Sequence, residues 1–204
     1  MVEIKTPGEI QAMRASGRVV AQILATVRAQ AAAGMRLSEL VDGDLLSVDC
    51  GAVLDGWAAD AAISFTIGPP RPADARLIAT TEAALRAGIA AAAPGARIGD
   101  ISAVIGAAGR AGGYGICTDF GGHGVGRAMH EDPHIPNEGP PGRGRRLTPG
   151  LVIAIEPWFL AGGRDSYRID EDGWTIRSGD GSRAAHAEHT VAVTADGPQI
   201  LTVP

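Results

Sequence analysis

The residue pair Asp55-Gly56 lies between two apolar runs, residues 43–54 and 56–68, that have the composition of β-strands. An Asp-Gly pair in this position is a strong signal for a β-hairpin, because both turn residues tolerate positive φ values. Each run also carries one carboxylate, Asp49 before the turn and Asp60 after it. Since the two residues flank one hairpin, we expect both carboxylates to project near the same face.

Two long amphipathic helices are predicted from apolar residues that recur at helical spacing. The first extends from residue 7 to about residue 32, and Thr6 and Glu9 have the spacing of a capping box at its start. The second extends over Ala73 to Ala93.

A glycine-containing joint follows each helix, and the joints Gly34–Leu40 and Gly95–Ile101 align without gaps. This weak internal repeat then diverges. The second copy continues as a helix through residues 102–113, whereas strand-like sequence begins directly after Leu40. We interpret the first repeat as shortened; an ordinary short helix with a tight turn is the alternative.

The remaining chain is rich in strands and turns. Residues 147–160 form one predicted buried strand, residues 170–178 contain a second Asp-Gly turn, and residues 187–197 alternate before a last turn. Long helices combined with antiparallel hairpins predict an α+β fold, with the helices packed on one face of a curved sheet.

Composition limits the functional classes. The 204 residues are enough for a single domain with a substantial core, which we expect to span residues 1–204. No apolar run approaches the roughly 18 residues of a membrane span, and we find no signal peptide. The net charge of −5 and scattered arginines argue against nucleic-acid binding. With only Cys50 and Cys117, a reducing cytoplasmic location is the default.

Four acidic residues lie within apolar strands, where charged side chains are rare unless they are paired or bind metal: Asp49, Asp60, Glu156 and Glu188. One such carboxylate alone is ordinarily a structural group. Four carboxylates close together repel one another, and a bound cation compensates this repulsion. His123, framed by glycines in "GGHGVGRAMHEDP" (residues 121–133), adds a nitrogen donor. A solvent-facing histidine in a glycine-rich turn is the alternative for that motif.

Four carboxylates and one imidazole are too many ligands for a single zinc ion. They suit two divalent ions that share bridging carboxylates. An oxygen-rich donor set with one nitrogen favours Mn, Fe(II), Co or Zn.

The blocks "VDCGAVLDGWAAD", "GGHGVGRAMHEDP", "AIEPW", "DEDGWTIRS" and "AEHTVAV" resemble the signature blocks of type I methionine aminopeptidases, in the same order and at similar spacing. The N-terminal "IKTPGEIQAMRASGRVVAQIL" is similar as well, so the resemblance covers nearly the whole chain. It implies the pita-bread fold of these metallopeptidases.

The resemblance also implies a dinuclear metal site with five ligands: Asp49, Asp60, His123, Glu156 and Glu188. Asp60 and Glu188 would bridge the ions, Asp49 would bind one ion only, and His123 and Glu156 would bind the other.

The implied activity is removal of the N-terminal methionine, through attack of a bridging hydroxide on the first peptide bond. Glu156 would transfer the proton to the leaving amine, and His130 would contact the substrate carbonyl. Trp174 matches a substrate-binding tryptophan at the edge of the site. We interpret the other histidines as structural or exposed: His134, His186 and His189.

This sequence departs from the family between Leu40 and Val41, where the family has several dozen further residues. These carry a second active-site histidine and much of the methionine side-chain pocket. Their absence predicts weaker catalysis, lower selectivity and exposed apolar surface on the first helix and sheet.

Two functional hypotheses therefore stay open. The first is a metal-dependent methionyl aminopeptidase that acts on nascent polypeptide N-termini or short peptides, with activity reduced by the missing segment. The second is a pita-bread binding module that retains its metals without useful catalysis. The resemblance implies a monomer, and the exposed surface offers a route to association. A proline-directed or creatine-type relative is a weaker reading, because those chains usually carry a large extra N-terminal domain.

Overall fold

A computed structural model of the chain describes residues 2–35 and 40–204. Part of the first predicted joint, residues 36–39, lies outside these ranges. The described helices and strands, in chain order, are α1 Pro7–Gln30, β1 Leu45–Leu54, β2 Trp57–Thr66, α2 Pro72–Ala91, α3 Ile98–Ala111, β3 Gly115–Ile116, β4 Gly121–Gly124, β5 Glu131–Pro136, β6 Val152–Ile155, β7 Trp158–Leu160, β8 Tyr167–Ile169, β9 Ile176–Ser178, β10 Ala184–His186, β11 His189–Thr194 and β12 Gly197–Ile200.

The first helix begins as the sequence predicts. The Thr6 hydroxyl accepts a hydrogen bond from the Glu9 backbone N–H at 3.4 Å, and the Glu9 carboxylate accepts one from the Thr6 backbone N–H at 2.8 Å. This reciprocal capping box satisfies two backbone donors that a helix start otherwise leaves free. The helix ends at Gln30, two residues before the predicted end.

The predicted hairpin of β1 and β2 is confirmed. Asp55 and Gly56 both have positive φ values, 50° and 75°, which allow the strands to be joined by only two residues. In the antiparallel register, Asp49 lies opposite Ala62 and Asp60 lies opposite Gly51. Directly opposed residues share a face, so Asp49 and Asp60 project from the same side of the hairpin.

The strands form antiparallel sheets, among them a five-stranded sheet in the order β12-β11-β6-β4-β5 and a three-stranded sheet in the order β10-β7-β3. Residues 147–160 do not form the single strand that the sequence predicts. They form β6 and β7 in different sheets, separated by Glu156 and Pro157. A proline has no N–H to donate and commonly interrupts a strand ladder, which leaves Glu156 at the strand end.

Backbone and hydroxyl contacts join the β1–β2 hairpin to the five-stranded sheet. Glu188 and Ala62 exchange N–H···O bonds of 2.9 and 3.3 Å. Two residues further along, the Thr190 hydroxyl accepts from the Asp60 N–H and donates to the Asp60 carbonyl, both at 2.8 Å. The side chain of Thr190 therefore continues the pairing between the hairpin and β11.

The helices cover the sheets and supply most of the core. A cluster of buried apolar residues from α2 and α3 packs on the five-stranded and three-stranded sheets, with Phe159, Ile101, Ile105 and Ile153 at or below 1% exposure. The helix α1 packs on the hairpin through Val20 and Leu24. This combination of helices and antiparallel sheets confirms the predicted α+β class.

The two copies of the repeat share one backbone feature and then differ. Gly34 and Gly95 both follow a long helix, and both have positive φ values, 83° and 90°. After the second joint the chain forms α3, whereas residues 40–44 lead into β1 without a helix. Within the described residues, exposed apolar side chains occur on α1 and β1, among them Ile23, Val53 and Leu54.

Within the described parts of the chain, no helix combines the length and hydrophobicity needed to cross a lipid bilayer.

Lys5 anchors the N-terminal segment to the first residue of β5, Glu131. Its ammonium group is buried and lies 2.6 Å from the Glu131 carboxylate. Burial opposes ionisation of Glu131, but the Lys5 charge and the Ala128 backbone N–H outweigh it and lower the pKa of Glu131. The pair therefore holds the segment that contains His130.

We expect Lys5→Met to lower the free energy of unfolding by about 2–4 kcal/mol, because it leaves a partly buried carboxylate without its cation. Urea unfolding of the metal-free protein measures the change. Arg86→Met is the control, because Arg86 forms only an exposed pair with Glu82 at 3.9 Å. Its effect should stay below about 0.5 kcal/mol. Equal effects of the two substitutions would contradict the anchoring role of Lys5.

Candidate metal centre

The five predicted metal ligands come from both halves of the chain and meet at one place. His123 Nε2 lies 3.8 Å from Glu156 Oε1, 3.9 Å from Glu188 Oε1 and 4.0 Å from Asp60 Oδ2. Asp49, Asp60 and Glu188 form a second group, in which one oxygen from each lies within 4.8 Å of the others. Asp60 and Glu188 adjoin both groups, as bridging ligands would.

These residues fit divalent cations. Ligand atoms that lie about 2.0–2.2 Å from one ion are about 3–4 Å from each other. The separations around His123 are of this size. In addition, Asp60 Oδ1 and Glu188 Oε1 are buried and have no hydrogen-bond partner among the residues that the structure describes. Buried carboxylate oxygens without partners are costly, and a bound cation removes that cost.

His123 is held in the form that a metal requires. Its Nδ1 lies 2.9 Å from the carbonyl oxygen of Gly124 and donates a hydrogen bond to it in the matching tautomer. The proton is then on Nδ1, and the lone pair of Nε2 faces the three carboxylates. The residue is 8% exposed, so the alternative of a solvent-facing histidine is excluded.

The glycines around His123 allow close approach of neighbouring strands. A Cβ atom on Gly122 would lie 2.2 Å from the Ala154 carbonyl oxygen, and one on Gly124 would lie 2.1 Å from the Asp132 carbonyl oxygen. The pairing of β4 with β5 also shifts register between these two glycines. The glycines thus serve strand packing on both sides of the ligand.

Mutual repulsion and burial oppose ionisation of the cluster. Desolvation of the Asp49 carboxyl, assisted by the neighbouring Asp60 charge, raises the pKa of Asp49 to about 6, although the residue as a whole is exposed. Burial, followed by the charges of Asp60 and Glu156, raises the pKa of Glu188 well above its ordinary value. In the absence of metal, the site therefore retains protons that a cation would displace.

His130 lies beside the cluster on an exposed loop. Its ring centroid is 4.3 Å from that of His123, and one of its nitrogens lies within 4.8 Å of ligand atoms of Asp60 and His123. The loop is attached to the hairpin, since Ala58 N–H donates to the Gly126 carbonyl at 2.8 Å and the Arg127 guanidinium lies over the Trp57 ring.

A cavity of about 550 Å³ opens in front of the cluster. Its lining includes the ligands Asp49, His123 and Glu156, the aromatic pair Phe120 and Trp158, and three further histidines: His130, His134 and His186. The aromatic rings of Phe120 and Trp158 have centroids 5.3 Å apart and form an apolar wall beside a charged floor.

The sequence-based interpretation of His186 is a structural or exposed residue, and the structure places it beside the candidate ligands. Its side chain is buried and lines the cavity, and its Nε2 lies 3.2 Å from Glu156 Oε2. The sequence contains a signal for this placement. Residues two apart in an extended chain point to the same side, and Glu188, two residues after His186, is a predicted ligand. His134 is exposed and also lines the cavity.

The predictions for His189 and Trp174 have different outcomes. His189 Nδ1 lies 2.8 Å from the Thr202 hydroxyl, which confirms a structural residue. Trp174 is 87% exposed between β8 and β9, and it is not part of the cavity lining. Its contact with substrate stays a prediction.

The sequence of residues 36–195 matches the model of metallopeptidase family M24. The chain belongs to this family. As a member of family M24, it has 41% identity with methionine aminopeptidase 1 of Mycobacterium tuberculosis over 255 aligned residues, covering 100% of this chain and 96% of the relative. Methionine aminopeptidase 1 of Bacillus subtilis is 38% identical over 200 residues, with 98% and 80% covered.

Solved structures confirm the pita-bread fold of this M24 chain. The methionine aminopeptidase of Thermotoga maritima superimposes with a TM-score of 0.95 at 34% identity and full coverage of both chains. The prolidase of Pyrococcus furiosus reaches a TM-score of 0.80 at 20% identity, covering 98% of this chain and 65% of the prolidase, and is similar in fold alone.

The raised pKa of Asp49 makes the metal-free protein less stable as pH rises from about 4 to about 6. Between these pH values the Asp49 carboxyl keeps its proton in the folded state and has lost it in the unfolded state. The free energy of unfolding therefore falls as pH rises. Asp49→Asn removes this penalty. We expect it to raise the metal-free melting temperature at pH 7.5 by about 2–4 °C, a stabilisation of about 1 kcal/mol after allowance for the exposure of Asp49.

Calorimetric melts with and without Mn²⁺ check this expectation. Added Mn²⁺ should stabilise Asp49→Asn less than the unsubstituted protein, because an amide is a weaker ligand. Asp55→Asn removes the same charge from the turn of the same hairpin and serves as the control. A metal-free melting temperature that falls in Asp49→Asn would refute the electrostatic argument.

Proposed function

We propose that this chain is a methionyl aminopeptidase, a metallo-hydrolase that removes the N-terminal methionine from proteins and short peptides. The observation that carries the proposal is the convergence of four carboxylates and His123 beside an open cavity, which three of these five residues line. The similarity to methionine aminopeptidases over the full length of the chain supports the substrate class.

Five residues would hold the metal: Asp49, Asp60, His123, Glu156 and Glu188. We propose two divalent ions, drawn from Mn, Fe(II), Co and Zn, because the donor set is oxygen-rich and contains one imidazole. When bound, the ions supply Lewis-acid activation of a water molecule and of the scissile carbonyl.

The chain's own groups would move the proton and bind the carbonyl. Glu156 faces His123 through Oε1, and its carboxylate would accept a proton and deliver it to the leaving amine. His130 lies beside the cluster, where an N–H can donate to the carbonyl oxygen as negative charge develops. The aromatic wall of Phe120 and Trp158 provides apolar contact for a substrate side chain.

The proposal includes a single metallopeptidase domain over residues 1–204 that is shortened between Leu40 and Val41. The alignment with the Mycobacterium tuberculosis relative supports a shortening, because its 255 positions exceed the 204 residues of this chain. The open cavity and the apolar side chains exposed on α1 and β1 are consistent with a missing layer. We therefore expect lower methionine selectivity than a closed pocket gives.

The proposed setting is the cytoplasm, where nascent chains present their N-termini and where free cysteines such as Cys50 and Cys117 stay reduced. We propose a monomer without nucleic-acid or membrane partners, with the exposed apolar surface as a route to association.

Hydrolysis of a Met-Ala-Ser peptide by the purified protein tests the function. We expect methionine release in the presence of Mn²⁺, Co²⁺ or Fe(II), and none when the metal is removed by chelation. A metal solution without protein is the blank. Turnover no greater than this blank, in protein shown to bind metal, would refute the peptidase and favour a metal-retaining binding module.

His130 should be required for turnover but not for metal binding. His130→Ala removes a donor to the developing charge, and we expect kcat to fall by about 10²–10³-fold. Metal content, measured by elemental analysis, should remain that of the unsubstituted protein because His130 is not among the five proposed ligands. An unchanged kcat would show that the assignment of His130 is wrong.

A further inference from the structure

We propose that His186 is a positioning residue for Glu156: its ring donates the Nε2–H to Glu156 Oε2 and fixes the carboxylate for metal binding through Oε1. This deepens the proposed site and rests on metal binding there, not on peptidase activity. The proposal assigns a role to a histidine that the ligand pattern leaves out.

The two oxygens of Glu156 face two different histidines. Oε1 is 3.8 Å from His123 Nε2, within the cluster that includes Asp60 and Glu188. Oε2 is on the side of His186, 3.2 Å from its Nε2, whereas the nearest Glu188 oxygen is 4.0 Å from that nitrogen. One carboxylate thus connects the ligand cluster to an outer histidine.

His186 Nε2 needs a partner. The atom is buried, and the 3.2 Å contact with Glu156 is not aligned as a hydrogen bond in this structure. A buried polar nitrogen without a partner is costly, and a small rotation of the Glu156 carboxylate supplies one. Hydrogen bonds of active sites are often poorly aligned before the site is loaded and become shorter afterwards.

The His186 ring is held rigidly enough to orient a ligand. Its backbone N–H donates to the Ser64 hydroxyl at 2.9 Å, and its carbonyl accepts from the same hydroxyl at 2.8 Å. The ring stacks on Trp158, with centroids 5.8 Å apart and planes inclined by 27°. Since Trp158 is the strand partner of His186, the stack is built into the pairing of β7 with β10.

Outer partners of metal ligands restrict the ligand to its binding orientation, and their loss typically weakens metal binding or activity by about 10–100-fold. Glu156, as a candidate ligand, needs such a partner, because it follows the end of β6 and precedes Pro157. Its carboxylate must keep one orientation although the strand has ended.

Isothermal titration of the metal-free protein with Mn²⁺ tests the role of His186 without any peptide. His186→Leu removes the donor, and we expect its metal affinity to fall by about 10–100-fold. His186→Gln places an amide N–H near the position of Nε2, and its affinity should stay within about threefold of that of the unsubstituted protein. His134→Leu, at an exposed position of the same cavity, is the matched control.

A further variant, His186→Asn, tests the same role if His186→Leu does not fold. His186→Asn is polar but is one methylene too short to present a donor at the Nε2 position, so its affinity should fall as that of His186→Leu does. The absorption spectrum of bound Co²⁺ reports the ligand geometry, and it should be preserved in His186→Gln and altered in His186→Asn.

Two results would overturn the proposal. The first is Mn²⁺ affinity in His186→Leu or His186→Asn equal to that of the unsubstituted protein. The second is affinity in His186→Gln as weak as in His186→Leu, which would mean that the ring itself is required. If the expected affinities are found but the Met-Ala-Ser peptide is not hydrolysed, the peptidase proposal fails and the role of His186 is supported.

Discussion

The site depends on the hydrogen-bonded contact between β2 and residues 188–190 at the start of β11. Asp49 and Asp60 come from the N-terminal hairpin, whereas Glu156 and Glu188 come from segments that connect strands of the C-terminal sheets. The hydrogen bonds between Ala62 and Glu188, together with those of the Thr190 hydroxyl to Asp60, fix the register of the hairpin against the C-terminal segment. A one-residue slip in a strand would turn its side chains to the opposite face and separate the carboxylates.

This alignment brings together groups that would otherwise stay apart. Burial of these carboxylates and, second to it, their mutual repulsion destabilise the metal-free fold, as the raised pKa values of Asp49 and Glu188 indicate. The protein tolerates the repulsion because the surrounding core is apolar and closely packed, and because the Lys5–Glu131 pair and the capped first helix stabilise neighbouring segments. Stability and metal binding are therefore linked through the same residues.

Much of this arrangement could be predicted from the sequence, because its signals are local. Turn chemistry at Asp55-Gly56 predicts the hairpin and the shared face of Asp49 and Asp60, and carboxylates within apolar sequence predict the four candidate carboxylate ligands, which the structure brings close together. The break at Pro157 and the contact of His186 with Glu156 could not be predicted in the same way. Both depend on which sheet a short strand joins, and that is decided by tertiary packing rather than by alternation along the chain.

The orientation of the His123 ring depends on a contact with the adjacent residue. The carbonyl that fixes its tautomer belongs to the next residue, Gly124, so the orientation of the ring is encoded by two adjacent amino acids. The other donors rely on strand pairing over long sequence distances. The tautomer that leaves the Nε2 lone pair available to a cation therefore depends on neighbouring residues, whereas the convergence of the carboxylates depends on contacts between distant strands.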